Sequence, residues 1–395
     1  MMQEMLTSPR DRPGPMSTVS LMALESTLLV AVSADLVWVD SPLAVASPGK
    51  CLRPLVVVCG TGYLAFGVSD LTRCLPTNRK TNQYGLTCDT VRSFNVLLPN
   101  GTATVASATQ NPDLFFALKG GMNKFGVVTS AVFETHPQTD KVWGGLTIYT
   151  GDKAVNQVLN ATTHFSFNNK DPKAQIITTM EASATGNSVF LLQFYDGPEK
   201  PAAFDIFDEL VDAIPVLKTT RSQSFKSFIN GFPSPLKQLT NWRGAFITIS
   251  TSQLTPNFLE AIRVEAEAIG KEMIANGGNT ASFDIEPFTN YGQFATESAY
   301  PHADSPMPLN LYFAWFNKSD DEFWYNRMKQ SVATLKAVAE ADGIFSPTFT
   351  IYPNYALFDT PAAELYGTVN AARLRAIRAQ VDPTGIMDLA GGFQI

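Results

Sequence analysis

Histidine is scarce in this 395-residue chain: His136, His164 and His302 are the only three, which argues against a histidine-rich metal centre. Cysteine is nearly as rare. Cys51, Cys59, Cys74 and Cys88 lie 8, 15 and 14 positions apart, a spacing that matches neither paired-CxxC zinc sites nor a CxxC redox centre, so free thiols are expected and no metal. Charge is sparse and leans acidic: 16% of residues are charged and the net charge is −7, which leaves no basic field for nucleic acid or an anionic membrane. The apolar stretch from Val19 to Val39 is interrupted by Glu25 and Asp35, which makes it a poor membrane span and a poor secretory core. No internal repeat or low-complexity tract is evident. What remains is a globular composition, 45% hydrophobic, in a chain long enough to prefer two lobes over one core.

The most informative stretch is 111–137, NPDLFFALKGGMNKFGVVTSAVFETHP. Asn111 suits a helix cap, Pro112 the first turn, Asp113 the positive end of the helix dipole, and Lys119 with Gly120 its close. A glycine-rich elbow, Gly120-Gly121-Met122-Asn123-Lys124-Phe125-Gly126, then leads to a strand from Val127 to Thr135. Glycines there allow the backbone to approach a flat or phosphorylated ligand, and Asn123 offers a donor and an acceptor. An ordinary helix-to-strand connection also uses glycine.

Elsewhere, residues 91–108 alternate as a hairpin about Pro99-Asn100-Gly101. From about Trp143, strands alternate with long amphipathic helices. Strands are expected at Ile176–Glu181 and Val189–Tyr195 around a Thr185-Gly186-Asn187 turn, and at Ala245–Thr251, Ala281–Glu286 and Leu309–Phe316. Helices are expected at Ala202–Ala213, at Pro256–Ala275 capped by Thr255, and at Asp320–Ala341 with Ser319 and Glu322 as a capping box. A last helix runs from about Pro361 to Gln380, with Leu365, Val369, Leu374 and Ile377 on its packing face. Short strands with helices returning over them suggest an antiparallel sheet covered on one face.

Several motifs, taken in order along the chain, resemble the FAD-linked oxidases of the berberine-bridge-enzyme type, within the vanillyl-alcohol-oxidase or PCMH-type FAD-binding fold. They are Tyr84-Gly85-Leu86-Thr87-Cys88-Asp89, the 111–137 segment, Tyr300-Pro301-His302, Tyr352-Pro353-Asn354-Tyr355, and the tail motifs Tyr366-Gly367, Asn370, Arg373-Leu374, Asp382-Pro383 and Gly391-Gly392-Phe393. The resemblance spans roughly residues 84–395 and implies an α+β, two-lobe fold: an FAD-binding part over 1–140, a substrate domain over 141–345, and a segment 346–395 returning to the FAD-binding part. It implies FAD held by Gly85, Gly120, Gly121, Asn123, Gly126, Val128 and Asn354. It also implies Tyr355 as the catalytic phenol, with His302 and Tyr312 facing a small organic substrate. Oxidation by hydride transfer to the flavin, reoxidation by molecular oxygen, and a place in specialised metabolism follow as expectations, with no nucleic-acid or membrane partner. Relatives are often secretory.

On the residues alone each of these has a plainer role. Tyrosines near a chain end usually pack, a lone histidine usually makes structural hydrogen bonds, Tyr312 in a strand is first of all packing, and His136 before Pro137 suits a turn. The chain also departs from the family. Where a glycine-rich run faces the pyrophosphate, it has Arg73-Cys74-Leu75-Pro76-Thr77-Asn78-Arg79-Lys80, in which proline and bulky side chains oppose close backbone approach. The histidine that tethers FAD in the family has no counterpart, the segment 1–16 reads as an unrelated lead-in, and the flavin is expected to be removable. Two alternatives follow: an inactive remnant acting as a binding module, and a protein binding NAD(P). The latter rests on Leu55-Val56-Val57-Val58-Cys59 followed by Gly60-Thr61-Gly62-Tyr63-Leu64-Ala65, a strand and turn of Rossmann type. Three glycosylation sequons, at Asn100, Asn160 and Asn317, matter only if the chain enters the secretory pathway.

Overall fold

The computed structural model describes residues 80–395, apart from 185, 212 and 232–242, together with five backbone strands nearer the amino terminus. Those strands are β1 (Met16–Leu24), β2 (Thr27–Val32), β3 (Asp35–Val39), β4 (Val56–Val57) and β5 (Leu64–Ala65). The Val19–Val39 stretch is thus divided among antiparallel strands. β4 pairs with β5 antiparallel, whereas a Rossmann unit joins parallel strands through a helix. The dinucleotide reading of that segment fails on this point.

The first sheet is completed by β6 (Val91–Leu97), β7 (Ala103–Ser107) and β8 (Val127–Glu134), in the order β3-β2-β1-β8-β6-β7. The β6–β7 hairpin closes at Leu98, whose N–H bonds to Thr102 O, around Asn100-Gly101 as the turn residues require. Helix α1 (Pro112–Leu118) packs Leu114, Phe115, Phe116 and Leu118 into the core beside this sheet. Asn111 is not its side-chain cap. The residue adopts φ 52° and its amide donates instead to Val105 O and Thr104 Oγ1, which ties the helix entry to β7.

The second sheet is antiparallel and larger. It contains β9 (Val142–Thr150), β10 (Ala174–Ser183), β11 (Gly186–Tyr195), β12 (Leu217–Lys218), β13 (Arg221–Gln223), β14 (Arg243–Thr251), β15 (Gly278–Ile285) and β16 (Met307–Trp315). Helices α2 (Asp152–Asn168), α3 (Pro256–Met273) and α4 (Asp321–Ala341) cover one face. That face supplies Met180, Ala281, Phe283, Ile285, Leu309, Leu311, Phe313 and Trp315 to the main core. Each fully buried large side chain there contributes on the order of 1.5–3 kcal/mol.

Thr255 caps α3, its hydroxyl accepting from Phe258 N. α4 differs: Asp320 occupies the cap position and no side chain caps the helix, because Ser319 turns to hydrogen-bond Asp320. The helix expected over 202–213 is only a 3₁₀ turn, Ala202–Phe207. Three residues per turn place Phe204 and Phe207 on one side, and both are buried.

The last helix, α5 (Ala362–Val381), is interrupted at Gly367, which takes φ 71° and ψ 161°. The break shifts the following residues off the earlier face. Leu365, Leu374 and Ile377 pack as expected, while Val369 is 79% exposed. Among the described residues no helix is long and apolar enough to cross a membrane.

Candidate active site

Alternation along β15 sorts its side chains. Ala281, Phe283 and Ile285 enter the helix-covered core, so Ser282, Asp284 and the following Glu286 belong to the opposite face. Register carries the division across the sheet. Ser282 pairs with Tyr312, which pairs with Phe246, and Asp284 pairs with Asn310, which pairs with Thr248. Thr179 of β10 lies opposite Asp284. The face away from the helices therefore carries the buried Thr179, Ser282, Asp284, Asn310 and Thr248 over β10, β15, β16 and β14, beside the buried Tyr312 and the half-buried Phe246.

Asp284 accepts from Thr179 Oγ1 at 2.7 Å and from Asn310 Nδ2 at 2.8 Å, one donor for each oxygen. Burial nevertheless raises its pKa. Two positions further on, Glu286 accepts a hydrogen bond from the Tyr355 hydroxyl at 2.9 Å. Burial, assisted by the negative charge of Asp284, pushes Glu286 up to about 8, while the bond from Tyr355 pulls the other way. Glu286 Oε2, Asn310 Oδ1 and Ser282 Oγ are buried with no hydrogen-bond partner among the described residues. Groups of this kind cost about 1–3 kcal/mol each unless something satisfies them.

Tyr355 arrives from the carboxyl-terminal segment. Its ring lies 5.1 Å from that of Tyr352 and 6.3 Å from that of Phe246. Phe246 in turn lies 4.9 Å from Tyr312. Gly244 makes space for Tyr312, since a Cβ there would come within 2.7 Å of its hydroxyl. Tyr355 and Tyr312 thus share the polar face. Asn354 donates to the Tyr352 hydroxyl at 2.7 Å and leaves its own buried Oδ1 without a partner.

His302 takes a different place. Its Nδ1 lies 2.8 Å from Tyr300 O and its Nε2 lies 3.0 Å from Asp89 Oδ2. Both ring nitrogens are engaged by the protein, so its geometry is that of a clamp. Asp89 also accepts from Leu86 N, Thr296 N and Thr296 Oγ1, and so fastens the first lobe to the segment leading into β16. Removing an acceptor that leaves buried donors unpaired costs about 1–3 kcal/mol for each donor left. Asp89→Ala should lower the urea midpoint accordingly, with Asp89→Asn losing less; an unchanged midpoint in Asp89→Ala would refute the clamp.

The glycine-rich elbow is also occupied by the protein itself. A Cβ on Gly121 would come 2.3 Å from Ala117 O, and one on Gly126 would come 2.7 Å from Leu97 O. These glycines permit close packing of α1 and β6. Gly85, at φ 82°, is confined by Phe294 and Asp89, and Val128 is buried in the core beneath β8. Asn123 donates to Gly391 O at 3.2 Å, while the fully buried Lys124 holds Asp388 Oδ1 and Gly391 O at 2.8 and 2.9 Å. The elbow therefore anchors the carboxyl-terminal turn. Gly120, at φ 106°, adopts a conformation that favours glycine.

Elbow and tyrosine motif are joined through one strap. Ala299 N donates to Lys119 O, Lys119 Nζ donates to Thr296 Oγ1 at 2.6 Å, and the Tyr300 ring lies 5.4 Å from Tyr352. His136 stacks on Tyr84 at 3.7 Å. Cys88 is disulfide-bonded, contrary to the expectation of free thiols. Its proximity to Asp89 and His302 is thus no metal site, because a disulfide sulfur is not a thiolate ligand.

Sequence reasoning missed Glu286, Asp284, Asn310 and Asp89. The first two carried a signal, since Ser282, Asp284 and Glu286 alternate with apolar residues in a strand buried on both faces.

No model of a known protein family matches the chain. Among curated proteins it is similar to an FAD-dependent monooxygenase of Aspergillus calidoustus, 28% identical over 362 residues, which is 87% of this chain and 67% of that protein. Among solved structures it resembles 6-hydroxy-D-nicotine oxidase from Arthrobacter nicotinovorans, with TM-score 0.64 and 17% identity over 86% of this chain and 73% of that one. It also resembles a variant of berberine bridge enzyme, with TM-score 0.58 and 16% identity over 78% of this chain and 66% of the other. The chain has the α+β fold of these solved structures. The Aspergillus relative is FAD-dependent by name, which makes FAD the group to set against this site.

The described residues suit a flavin ring at the edge of the polar face. The unsatisfied Asn354 Oδ1 is a ready acceptor for a ring N–H, and the aromatic residues around it supply flat apolar walls. The 73–79 segment, expected to oppose a pyrophosphate, lies outside the described residues.

Proposed function

We propose that the chain oxidises a small organic alcohol or amine, with the flavin accepting a hydride and molecular oxygen restoring it as hydrogen peroxide is released. One observation carries the reading: the Tyr355–Glu286 hydrogen bond on a buried polar face where Ser282 Oγ, Asn310 Oδ1 and Glu286 Oε2 lack partners among the described residues. Bound FAD supplies a two-electron acceptor. The chain's own residues manage the proton. Because the Tyr355 hydroxyl proton is directed at Glu286, its oxygen lone pairs remain to accept a proton from the substrate. The phenol proton then passes to Glu286 Oε1, so Tyr355 ends as it began and the Glu286 carboxylate holds the proton as a neutral acid. Asn310, Ser282 and Tyr312 position the substrate, and Asn354, with the strap beside Gly120, borders the flavin. The lobes follow residues 1–140, 141–345 and 346–395.

Absorbance of the purified protein tests the cofactor, with bands near roughly 370 and 450 nm expected for oxidised flavin. Acid precipitation then reads whether that colour stays with the protein or passes to the supernatant. Peroxide release should then be followed over a panel of alcohols and amines. A coloured protein that oxidises none of them would overturn the substrate reading, and a colourless one would favour the inactive remnant, which the FAD-dependent relatives do not.

A further inference from the structure

The hairpin tip between β6 and β7 carries a feature that the redox chemistry does not use. Asn100-Gly101-Thr102 is an Asn-x-Thr sequon, and residues 100–103 are exposed without interruption. Thr102 N donates to Asn100 Oδ1 at 3.0 Å. This Asx turn brings the threonine residue back beside the asparagine side chain and engages the amide oxygen while leaving Nδ2 outward. Gly101, at φ 83°, has no atom within 4 Å of where a Cβ would stand. The space around the tip is therefore open.

The two other sequons differ. Asn160 lies within α2, and the hydroxyl of its Thr162 is buried against Thr178 Oγ1 at 2.7 Å. Asn317 Nδ2 and the Ser319 hydroxyl are both held by Asp320. Only at Asn100 do exposure, turn geometry and open space coincide. The disulfide at Cys88 supplies an independent indication, because such bonds persist in the oxidising compartments where asparagine glycosylation occurs.

We infer that Asn100 is an N-glycosylation site, taking a preassembled oligosaccharide from a lipid-pyrophosphate donor. Asn100 Nδ2 forms the new bond to the anomeric carbon. The bond from that carbon to the pyrophosphate oxygen breaks, the lipid pyrophosphate leaves with the electron pair, and one amide proton is lost to the transferase. No oxidant or reductant is required. β7 is an edge strand of its sheet among the described residues, so the sugar would stand beside an otherwise open pairing edge.

The test expresses the full chain behind a secretory leader in yeast and treats the recovered protein with peptide N-glycosidase. Wild type should shift to lower mass, with Asn100 converted to aspartate in the peptide map. Asn100→Gln and Thr102→Ala should lose that conversion, and Thr102→Ser should keep it. Because the peptide map reads the site directly, a poorly folding variant does not obscure the result. Unmodified Asn100 in the recovered wild-type protein would overturn the inference, as would a shift that persists whole in Asn100→Gln.

Discussion

Replacing Tyr355 with phenylalanine should lower turnover by about 10²–10⁴-fold while leaving flavin content unchanged. The substitution keeps the ring that packs beside Tyr352 and Phe246 and removes only the oxygen bonded to Glu286. If the phenol receives the substrate's proton, the deficit should appear in the reductive half-reaction, measured by the rate of bleaching when substrate is mixed with oxidised enzyme without air. Undiminished bleaching would remove Tyr355 from the chemistry and leave it a packing residue.

The second large effect concerns Glu286→Gln. Glutamine preserves an oxygen acceptor for Tyr355 but cannot take a proton, so turnover should fall on a similar scale and its pH dependence should change. With the carboxyl pushed up to about 8, wild-type kcat/KM should rise as pH increases through that value, because only the ionised form accepts a proton. The variant should lack this limb. Stability runs in the opposite direction. The folded state retains the proton up to about 8 while the unfolded chain releases it near the ordinary 4.5, so between these values the folded state binds more protons and loses stability as pH rises. The loss should be on the order of a few kcal/mol across the window. Glu286→Gln should flatten that slope in denaturant titrations at several pH values; an unchanged slope would mean that Glu286 is ionised throughout.

These two residues show where sequence was informative. Tyr355 was legible because it sits in a short ordered motif, Tyr352-Pro353-Asn354-Tyr355, whose neighbours keep their spacing. Glu286 was passed over as the end of a strand, although its alternation with Phe283 and Ile285 gave warning that a polar face was buried. Asp89 and His302 are 213 positions apart, and no local pattern links them, so only the fold reveals the clamp. Local rules served well where backbone geometry dictates the residue, as in the Asn100-Gly101 turn and the Thr255 cap. They failed where packing overrode them: the amphipathic run after Ala202 shortens to a 3₁₀ turn to bury Phe204 and Phe207, and Gly367 breaks a helix whose side-chain periodicity reads as continuous. The elbow was recognised as a special stretch, yet Gly121 and Gly126 are explained by the atoms of α1 and β6 pressed against them.

The two-sidedness of β15 has a bearing on how such a protein can change. Odd positions there answer to the helix-covered core and even positions to the buried polar face, so the two demands are interleaved along a single strand without competing for the same residues. A lineage, or a library, that varies 282, 284 and 310 while holding 281, 283 and 285 fixed alters that polar face on a scaffold that keeps its hydrophobic foundation.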